Sequence, residues 1–308
     1  MSRKVVKVEE LSAGEVPKEL KWEHYFDFEA HPFEHRGLFE AVKNGSVIGA
    51  LAEIDGYARK WLKEKTEGGW KGAREAQGFG GTVTGKVRVL VEEGAEFAPT
   101  AVIGGKEPGT VMVGAGSRVT GCALWVDRGD IAIGGGTRVE PGAGIKGPCI
   151  IGSQCEVRQG TYFRGDVITG DRGTFRGEVK NTVMMDEATF PHPGYVGDSL
   201  CGYRTHFGNQ ATSANLGIYY HVGGKGNVTV EIGGVTYDLG RAKVGIVMGD
   251  HAQVGCNSVS DPGTFLGPRT IVYALSRINK GFYGPDEVLK NKPMEHGVIE
   301  RTKFKRPG

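Results

Sequence analysis

The segment from Ile131 to Phe163, "IAIGGGTRVEPGAGIKGPCIIGSQCEVRQGTYF", decides the fold of this chain. A large apolar residue recurs at every sixth position, in the order Ile133, Val139, Ile145, Ile151, Val157 and Phe163. A period of six is neither the 3.6-residue period of an amphipathic helix nor the alternation of a simple strand. It is typical of a hexapeptide β-helix, in which three short strands form one triangular coil and each hexapeptide sends one apolar side chain inward.

The same step occurs on the N-terminal side of this segment. Val91, Phe97 and Ile103 are six residues apart, and Val113 and Val119 continue the series after an insertion. The chain has 52 glycines among 308 residues, more than twice the usual share of about 7%. Glycine adopts the positive φ of tight corners at low cost. We therefore predict an all-β fold with a parallel β-helix over residues 79–275; the period does not give its handedness.

Residues 1–78 differ in texture and predict an N-terminal helical cap. Ile48, Leu51 and Ile54 have helical spacing, and Ser46 is a suitable N-cap for this helix. We expect this cap to pack on one end of the β-helix.

Two other segments depart from the repeat. Residues 216–243 contain an alternating series that turns at Gly233 and Gly234, which predicts a β-hairpin inserted into the β-helix domain. Residues 276–308 are polar and basic, with little potential to form a core, and predict a C-terminal tail.

Composition excludes several classes of partner. The net charge is +2 and there is no long basic run, so we expect no nucleic-acid partner. No apolar run has the length of a membrane span, and the N-terminus lacks the apolar region of a signal peptide, so we expect a cytoplasmic protein without a membrane partner.

The cysteine number is odd and no CxxC occurs, which favours reduced core thiols. The five cysteines are Cys122, Cys149, Cys155, Cys201 and Cys256.

Four strings between residues 164 and 267 carry a family resemblance. They are "RGDVITGDRGTFRGEVKNTVMMD", "PHPGYVGDSLCGY", "TSANL" and "GIVMGDHAQVGCNSVSDPGTFLG". In order and spacing they resemble the acetyltransferase half of the bifunctional N-acetylglucosamine-1-phosphate uridylyltransferase / glucosamine-1-phosphate N-acetyltransferase family. The closer likeness is to its sugar-nucleotidyltransferase-like variants. Residues 1–78 carry neither the Gly-rich nucleotide loop nor the βαβ pattern of the uridylyltransferase half.

This resemblance implies a left-handed β-helix that assembles as a homotrimer. It further implies an N-acetyltransferase that uses acetyl-CoA as co-substrate and an amino-sugar phosphate, such as glucosamine-1-phosphate, as acceptor. The family transfers the acetyl group directly, so no metal is required.

The resemblance also implies roles for individual residues. His192 takes the place of the general base, and histidine suits that role because it titrates close to neutral pH. The acceptor contacts that the resemblance implies are Arg164, Lys180, Tyr195 and Asn215. The contacts implied for acetyl-CoA are Cys256, Tyr273 and Ala274. Each residue also has a structural interpretation, such as a proline-turn histidine, a solvated lysine or a corner asparagine with positive φ.

The motif departs from the family pattern beyond Asp198. His206 replaces the usual asparagine, and Gln210 replaces a glycine that would let a ligand approach the backbone. The loop that is basic in the family is here the aromatic "LGIYYHVGGKG".

These departures leave a second interpretation open, namely a non-catalytic β-helix subunit that assembles with a separate sugar nucleotidyltransferase. A γ-type carbonic anhydrase has the same fold, but its zinc site needs three imidazoles with an H-x4-H pair, and no such pair is present among His192, His206, His221 and His251.

Overall fold

The computed structural model describes residues 5–70, 72–76, 78–218, 220–221 and 226–291. Within these residues the chain winds into a triangular prism whose three sides are parallel sheets. The all-β, left-handed parallel β-helix predicted from the sequence is confirmed.

The three faces of the prism are formed by short strands that stack in register. Face 1 consists of Thr82–Thr84, Ala101–Ile103, Ala123–Trp125, Gly144–Lys146, Tyr162–Phe163, the first half of Glu178–Met184, the first half of Tyr195–Cys201, Thr212–Ser213, Val259–Ser260 and Arg277–Ile278. Face 2 consists of Val87–Val91, Gly109–Val113, Ile131–Ile133, Cys149–Ile151, Val167–Thr169, the second halves of the same two long strands, Ile246–Met248, Thr264–Leu266 and Gly281–Tyr283. Face 3 consists of Glu96–Ala98, Arg118–Thr120, Arg138–Val139, Glu156–Val157, Thr174–Phe175, Thr189–Phe190, His206–Phe207, Gln253–Val254, Ile271–Val272 and Val288–Leu289.

One apolar side chain per strand points into the prism, and these side chains stack into three columns. All six members of the predicted series from Ile133 to Phe163 are buried in this core. The prediction is wrong for Ile103, because its neighbour Val102 is fully buried and aligns with Leu124, whereas Ile103 is only half-buried. The turn before this strand is one residue shorter than the six-residue step requires, so the inward position falls on Val102 instead of Ile103.

The described part of the N-terminal region contains three 3₁₀-helices and two α-helices. The 3₁₀-helices are Val8–Glu10, Lys18–Leu20 and Trp22–His24; the α-helices are α1, Gly37–Glu40, and α2, Val47–Glu67. Ser46 caps α2 as predicted, since its Oγ accepts a hydrogen bond from the Ile48 N–H at 3.2 Å.

This region packs along face 2, which corrects the expectation that it covers one end of the prism. Helix α2 and the aromatic cluster around Phe39 bury a row of outward-pointing apolar side chains that runs along the face. The row includes Leu90, Met112, Ile150, Ile168, Val183, Leu200, Val247 and Phe265. Face 2 is therefore apolar on both sides, and the other two faces are left for ligands or partners.

The predicted insertion is a β-hairpin of strands Thr229–Ile232 and Val235–Asp238, with a turn at Gly233 and Gly234. Strand Val5–Lys7 pairs in parallel with the second of these strands, so the insertion and the N-terminal region form one small sheet. Strand Arg74–Glu75 adds to face 2 in antiparallel orientation.

The β-helix continues beyond the expected boundary at residue 275. Its last coil includes Arg277–Ile278, Gly281–Tyr283 and Val288–Leu289, so the described part of the predicted tail belongs to the solenoid. Residues 1–4 of the predicted cap and 292–308 of the predicted tail lie outside the described residues.

Four of the five cysteines are buried and all five are free thiols, but the prediction that all are core thiols is wrong for Cys256, which is exposed. Within the described ranges, every helix is too short or too polar to span a bilayer.

The corner between faces 2 and 3 forms what we call the paired edge. Its non-glycine residues with positive φ are Gln154, Arg172, Glu187, Arg204, His251, Arg269 and Asp286. Charges on this edge pair from coil to coil: Glu187 binds Arg172 and Arg204, and Arg269 binds Asp286 through two nitrogens at 2.5 and 2.7 Å.

Candidate functional site

His192 lies on the corner between faces 3 and 1, which we call the His192 edge. This edge is formed by the segments Glu140–Gly142, Arg158–Gly160, Arg176–Gly177, Pro191–Gly194, Gly208–Gln210, Gly255–Asn257 and Tyr273–Leu275. Backbone hydrogen bonds connect successive corners: the Gln210 N–H binds the Pro193 carbonyl, and the Leu275 N–H binds that of Cys256, each at 2.8 Å. The turn that carries His192 is therefore stacked in line with Gln210, Cys256 and Leu275.

One corner of this edge is shortened and leaves a notch beside His192. The inward residues Phe175 and Val179 are four positions apart, whereas Phe190 and Val196 in the next coil are six apart. The notch has a volume of about 270 Å³, and its lining consists of Glu140, Arg158, Gln159, Arg176, Pro191 and His192.

Glycine makes the shortened corner possible. A Cβ at Gly177 would lie 1.9 Å from the Phe190 ring, and a Cβ at Gly194 would lie 2.9 Å from the same ring. Distances under 3.0 Å do not occur for real Cβ atoms, so the chain can cross the Phe190 ring here only as glycine. The buried Phe190 ring thus packs against both glycines of this part of the edge.

Some of the charged side chains that line the notch have hydrogen-bond partners among the described residues and one does not. Arg158 is held by Glu156, whose Oε2 accepts hydrogen bonds from Nε at 3.1 Å and from Nη2 at 2.8 Å. Glu140 accepts the Gln159 N–H at 2.9 Å. Arg176 is exposed, and no described residue forms a hydrogen bond or ion pair with its guanidinium. One guanidinium beside the exposed His192 is therefore free to bind an anion.

A second histidine lies close to the notch. His206 is half-buried on face 3, and its Nδ1 is 2.8 Å from the Thr189 hydroxyl. Burial lowers the pKa of His206, and its electrostatic interaction with His192 lowers it further. The sequence substitution at position 206 therefore puts an imidazole that favours its neutral form next to the His192 turn.

The residues predicted to contact acetyl-CoA lie on the His192 edge, on the opposite side of His192 from the notch. Cys256, Tyr273 and Ala274 are all exposed. A Cβ at Gly255 would lie 2.4 Å from the Ala274 nitrogen, so these corners stack in direct backbone contact. Gln210 has a φ of 57° and is exposed, which directs it outward rather than into the stack.

Face 1 carries three of the four predicted acceptor contacts, Arg164, Tyr195 and Asn215. The Arg164 guanidinium is 2.6 Å from a Glu178 carboxylate oxygen, and this hydrogen bond raises its pKa. The Tyr195 hydroxyl accepts a hydrogen bond from Nδ2 of Asn215 at 3.0 Å, and burial raises the Tyr195 pKa. A Cβ at Gly197 would lie 2.2 Å from the Tyr195 hydroxyl, so the ring lies flat over this glycine. Tyr195 and Asn215 therefore form a continuous polar surface on face 1.

A buried carboxylate orients this surface. Asp198 is 3% exposed and has a φ of 50°. It accepts hydrogen bonds from Nδ2 of Asn181 at 2.9 Å, from Nδ2 of Asn215 at 2.5 Å and from Arg241 of the inserted hairpin at 3.4 Å. These contacts fix the Asn215 amide and connect the insertion to the β-helix.

Lys180 lies at the border between faces 1 and 2, away from His192. It lines a shallow groove of about 510 Å³ with Ala52, Asp55, Asp166, Asn181, Asp198, Arg241, Ala242 and Lys243. Burial and the adjacent Asp55 raise the pKa of Asp166 to about 6. His192 and Lys180 are thus on opposite borders of face 1, with Tyr195 and Arg164 between them. The structure does not bring Lys180 and His192 into one cavity.

Relatives of this chain share part of its length. No family model matches the chain. It is 29% identical over 162 residues to the bifunctional sugar-1-phosphate nucleotidylyltransferase/acetyltransferase of Sulfurisphaera tokodaii, covering 46% of this chain and 39% of that protein. It is 30% identical over 148 residues to the bifunctional protein GlmU of Methanococcus vannielii, covering 46% and 33%. It is 31% identical over 152 residues to a putative acetyltransferase, YaiX, of Escherichia coli, covering 47% and 64%.

This chain resembles the acetyltransferase half of GlmU-type proteins. The resemblance predicted from the sequence is confirmed at that level. The alignments cover only about a third to two thirds of these relatives, so their activities do not transfer directly to this chain.

Sequence reasoning missed two arginines of the candidate site. The motifs do not single out Arg158 or Arg176, yet both line the notch with His192. The available signal was the four-residue spacing between Phe175 and Val179, which interrupts the six-residue step directly before the motif. Within the described part of the chain, no three His, Cys, Asp or Glu side chains converge as a metal site.

Proposed function

We propose that this chain is an acetyl-CoA-dependent N-acetyltransferase acting on an amino-sugar phosphate, with glucosamine-1-phosphate as the first acceptor to test. The carrying observation is the alignment of the exposed His192 turn with Gln210, Cys256 and Ala274 along one edge. A general base and an extended acetyl-CoA molecule can lie along the same edge. Successive coils are about 4.8 Å apart there, and they present a row of backbone groups to which acetyl-CoA can bind.

The proposed reaction is direct transfer. The acceptor amine attacks the thioester carbonyl carbon while His192 removes a proton from the nitrogen. The C–S bond then breaks, and coenzyme A leaves as a thiolate that takes the proton back from His192. The products are the N-acetyl sugar phosphate and free coenzyme A thiol. No metal is required for these steps.

The acceptor would lie over face 1. Tyr195 and Asn215 are presented there with fixed orientation, because Asp198 holds the Asn215 amide. The resemblance adds Arg164 and Lys180 as phosphate contacts and Cys256, Tyr273 and Ala274 as acetyl-CoA contacts. Arg164 would have to exchange its Glu178 partner for the phosphate.

A homotrimer is part of the proposal. The last coils expose several large apolar side chains on faces 1 and 3 and on the His192 edge, and such surfaces are often subunit contacts. These residues are Val259, Ile271, Tyr273, Leu275 and Val288. A neighbouring subunit packed there would form the second wall of a groove along the His192 edge.

The test is release of free thiol from acetyl-CoA in the presence of glucosamine-1-phosphate. We expect His192→Gln to reduce kcat by about 10²- to 10⁴-fold, the range for loss of a general base. His251→Gln is the matched control, since His251 lies on the paired edge. Absence of thiol release with any amino sugar, together with absence of coenzyme A binding by calorimetry, would overturn the proposal.

The second candidate is a non-catalytic subunit that assembles with a sugar nucleotidyltransferase. Two observations favour it: Arg164 is ion-paired with Glu178, and Lys180 is separated from His192. This candidate predicts no thiol release and stable association with a nucleotidyltransferase when the two are mixed. Calorimetric binding of coenzyme A would contradict it.

A further inference from the structure

We propose that the notch beside His192 is an anion subsite in which Arg176, supported by Arg158, holds the phosphate of the acceptor. This inference rests on the proposed function. It moves the phosphate from Arg164 and Lys180, the contacts that the family resemblance implies, to Arg176 and Arg158. It makes Arg176 the residue that distinguishes phosphorylated from unphosphorylated amino sugars.

The location of the two arginines supports this inference. Arg158, Arg176 and His192 line one cavity, whereas Lys180 lies on the opposite border of face 1. The notch has a volume of about 270 Å³, just below the roughly 300–1,000 Å³ of pockets that enclose a whole ligand. It therefore suits one charged end of a substrate whose amine reaches His192.

The Arg176 guanidinium is also available to bind a ligand. Described arginines on the paired edge are engaged by carboxylates: Arg172 and Arg204 by Glu187, and Arg269 by Asp286. Arg176 has no such partner among the described residues. A free guanidinium offers two parallel N–H donors, the geometry that matches a phosphate.

Neighbouring residues hold the second arginine, Arg158, in place. Glu156 binds Arg158 through Nε and Nη2, which fixes the plane of that guanidinium and leaves Nη1 available. The backbone of Gln159 is also held, because its N–H donates to Glu140. A phosphate would thus meet one pre-oriented arginine and one free arginine, which limits the side-chain entropy lost on binding.

The alternative site at Lys180 has mixed charge. Its groove is lined by the cations Lys180, Arg241 and Lys243 and by the carboxylates Asp55, Asp166 and Asp198. A phosphate placed there would meet as many carboxylates as cations, and the negative charges oppose it. Among the described residues that line the notch, two are arginines and one, Glu140, is a carboxylate that already accepts a hydrogen bond; the nearby Glu156 is bound to Arg158.

The kinetic test compares glucosamine-1-phosphate with glucosamine as acceptors. We expect Arg176→Gln to raise KM for glucosamine-1-phosphate about 10- to 100-fold with little change in kcat, and to leave KM for glucosamine unchanged. Arg158→Gln should have a smaller effect in the same direction, and Arg176→Lys should recover part of the loss. Arg138→Gln is the matched control, because Arg138 is also an exposed arginine next to an inward residue of face 3.

Two kinetic outcomes would overturn the inference. One is an equal effect of Arg176→Gln on both acceptors. The other is a phosphate-specific effect that appears in Lys180→Gln and not in Arg176→Gln, which would place the phosphate in the Lys180 groove.

A binding test separates failure of this inference from failure of the proposed function. Protein with ¹⁵N-labelled histidine is titrated with inorganic phosphate, and the His192 imidazole signal is assigned by its loss in His192→Gln. We expect a saturable shift in the wild type and in Arg138→Gln, and no shift in Arg176→Gln. That result supports the anion subsite even if no acetyl transfer is found. Acetyl transfer without any phosphate-dependent shift would overturn the subsite and leave the proposed function standing.

Discussion

The paired edge and the His192 edge are two corners of the same prism, yet they use their polar residues differently. Both turn through residues with positive φ, such as Arg172 and Glu187 on the first and Gln210 on the second. On the paired edge the charged side chains bind one another from coil to coil. On the His192 edge the side chains of Arg176, His192 and Gln210 face solvent.

This difference separates scaffold from candidate site better than residue type does. Charges that satisfy each other contribute to local order and have little capacity left for a ligand. Side chains of the same type without partners, next to a gap in the backbone stack, retain their full hydrogen-bonding capacity. The predictions below change one edge at a time.

The largest expected effect comes from the buried ring that packs against Gly177 and Gly194. Phe190→Ala should lower the free energy of unfolding by about 3–5 kcal/mol, because Phe190 is fully buried and its removal leaves a cavity. It should also raise KM for the acceptor, since Gly177 and Gly194 pack on its ring. Phe207→Ala is the control, because its ring packs against Phe190 one coil further on. Denaturant unfolding and initial rates measure both effects; an equal KM change in both variants would contradict the role of the notch.

Filling the notch should have the next largest effect. Insertion of Asn-Gly between Arg176 and Gly177 restores the six-residue spacing of the neighbouring corners. We expect kcat/KM to fall at least ~100-fold, equivalent to about 2.7 kcal/mol, with a Tm close to that of the wild type. The same insertion between Gly233 and Gly234, in the exposed hairpin turn, should leave the rate unchanged. Full activity of the notch insertion would show that the gap is not used.

A substitution on the paired edge should change stability slightly and leave activity nearly unchanged. Glu187→Gln removes the carboxylate shared by Arg172, Arg204 and the Tyr203 hydroxyl. Because these pairs are largely solvent-exposed, we expect Tm to fall by only about 1–3 °C. Activity should stay within twofold of the wild type. A large loss of activity with unchanged Tm would place function on this edge and reverse the comparison.

The sequence was sufficient for the coil and insufficient for the corners. Inward residues follow the six-residue step because each must fill the prism, so Ile133 to Phe163 could be assigned from the sequence. Pairing on the edges depends on which residues stack across one coil, and Arg172 and Glu187 are 15 positions apart where Arg269 and Asp286 are 17 apart. Small changes in corner length therefore decide the partners, and no fixed spacing predicts them.

The sequence contains a pattern that indicates where the N-terminal region packs. Consecutive apolar residues such as Ile150 and Ile151 indicate a strand buried on both sides. Ile151 points into the prism and Ile150 points outward under the N-terminal region. The separation of Lys180 from His192 could not be read in the same way, because their twelve-residue spacing does not indicate on which corner each side chain lies.

The third corner, between faces 1 and 2, gives the smallest and most pH-dependent prediction. Burial, then a hydrogen bond to Asp55 and its charge, raise the pKa of Asp166 from 3.8 to about 6, while Arg59 and Lys180 act in the opposite direction. The folded protein therefore binds a proton more tightly than the unfolded chain, and this contribution to stability is present below pH 3.8 and lost as the pH rises through 6. Asp55→Asn removes the repulsion between the two carboxylates and keeps an oxygen that can accept the Arg59 hydrogen bond. We expect it to raise the free energy of unfolding at pH 8 by about 1 kcal/mol or less, because the site is half-exposed, and to have no effect at pH 4. Thermal unfolding at the two pH values measures the difference, with Asp127→Asn as the surface control. An equal change at both pH values would mean that the two carboxylates do not share a proton and that this corner, like the paired edge, is held by fixed charges.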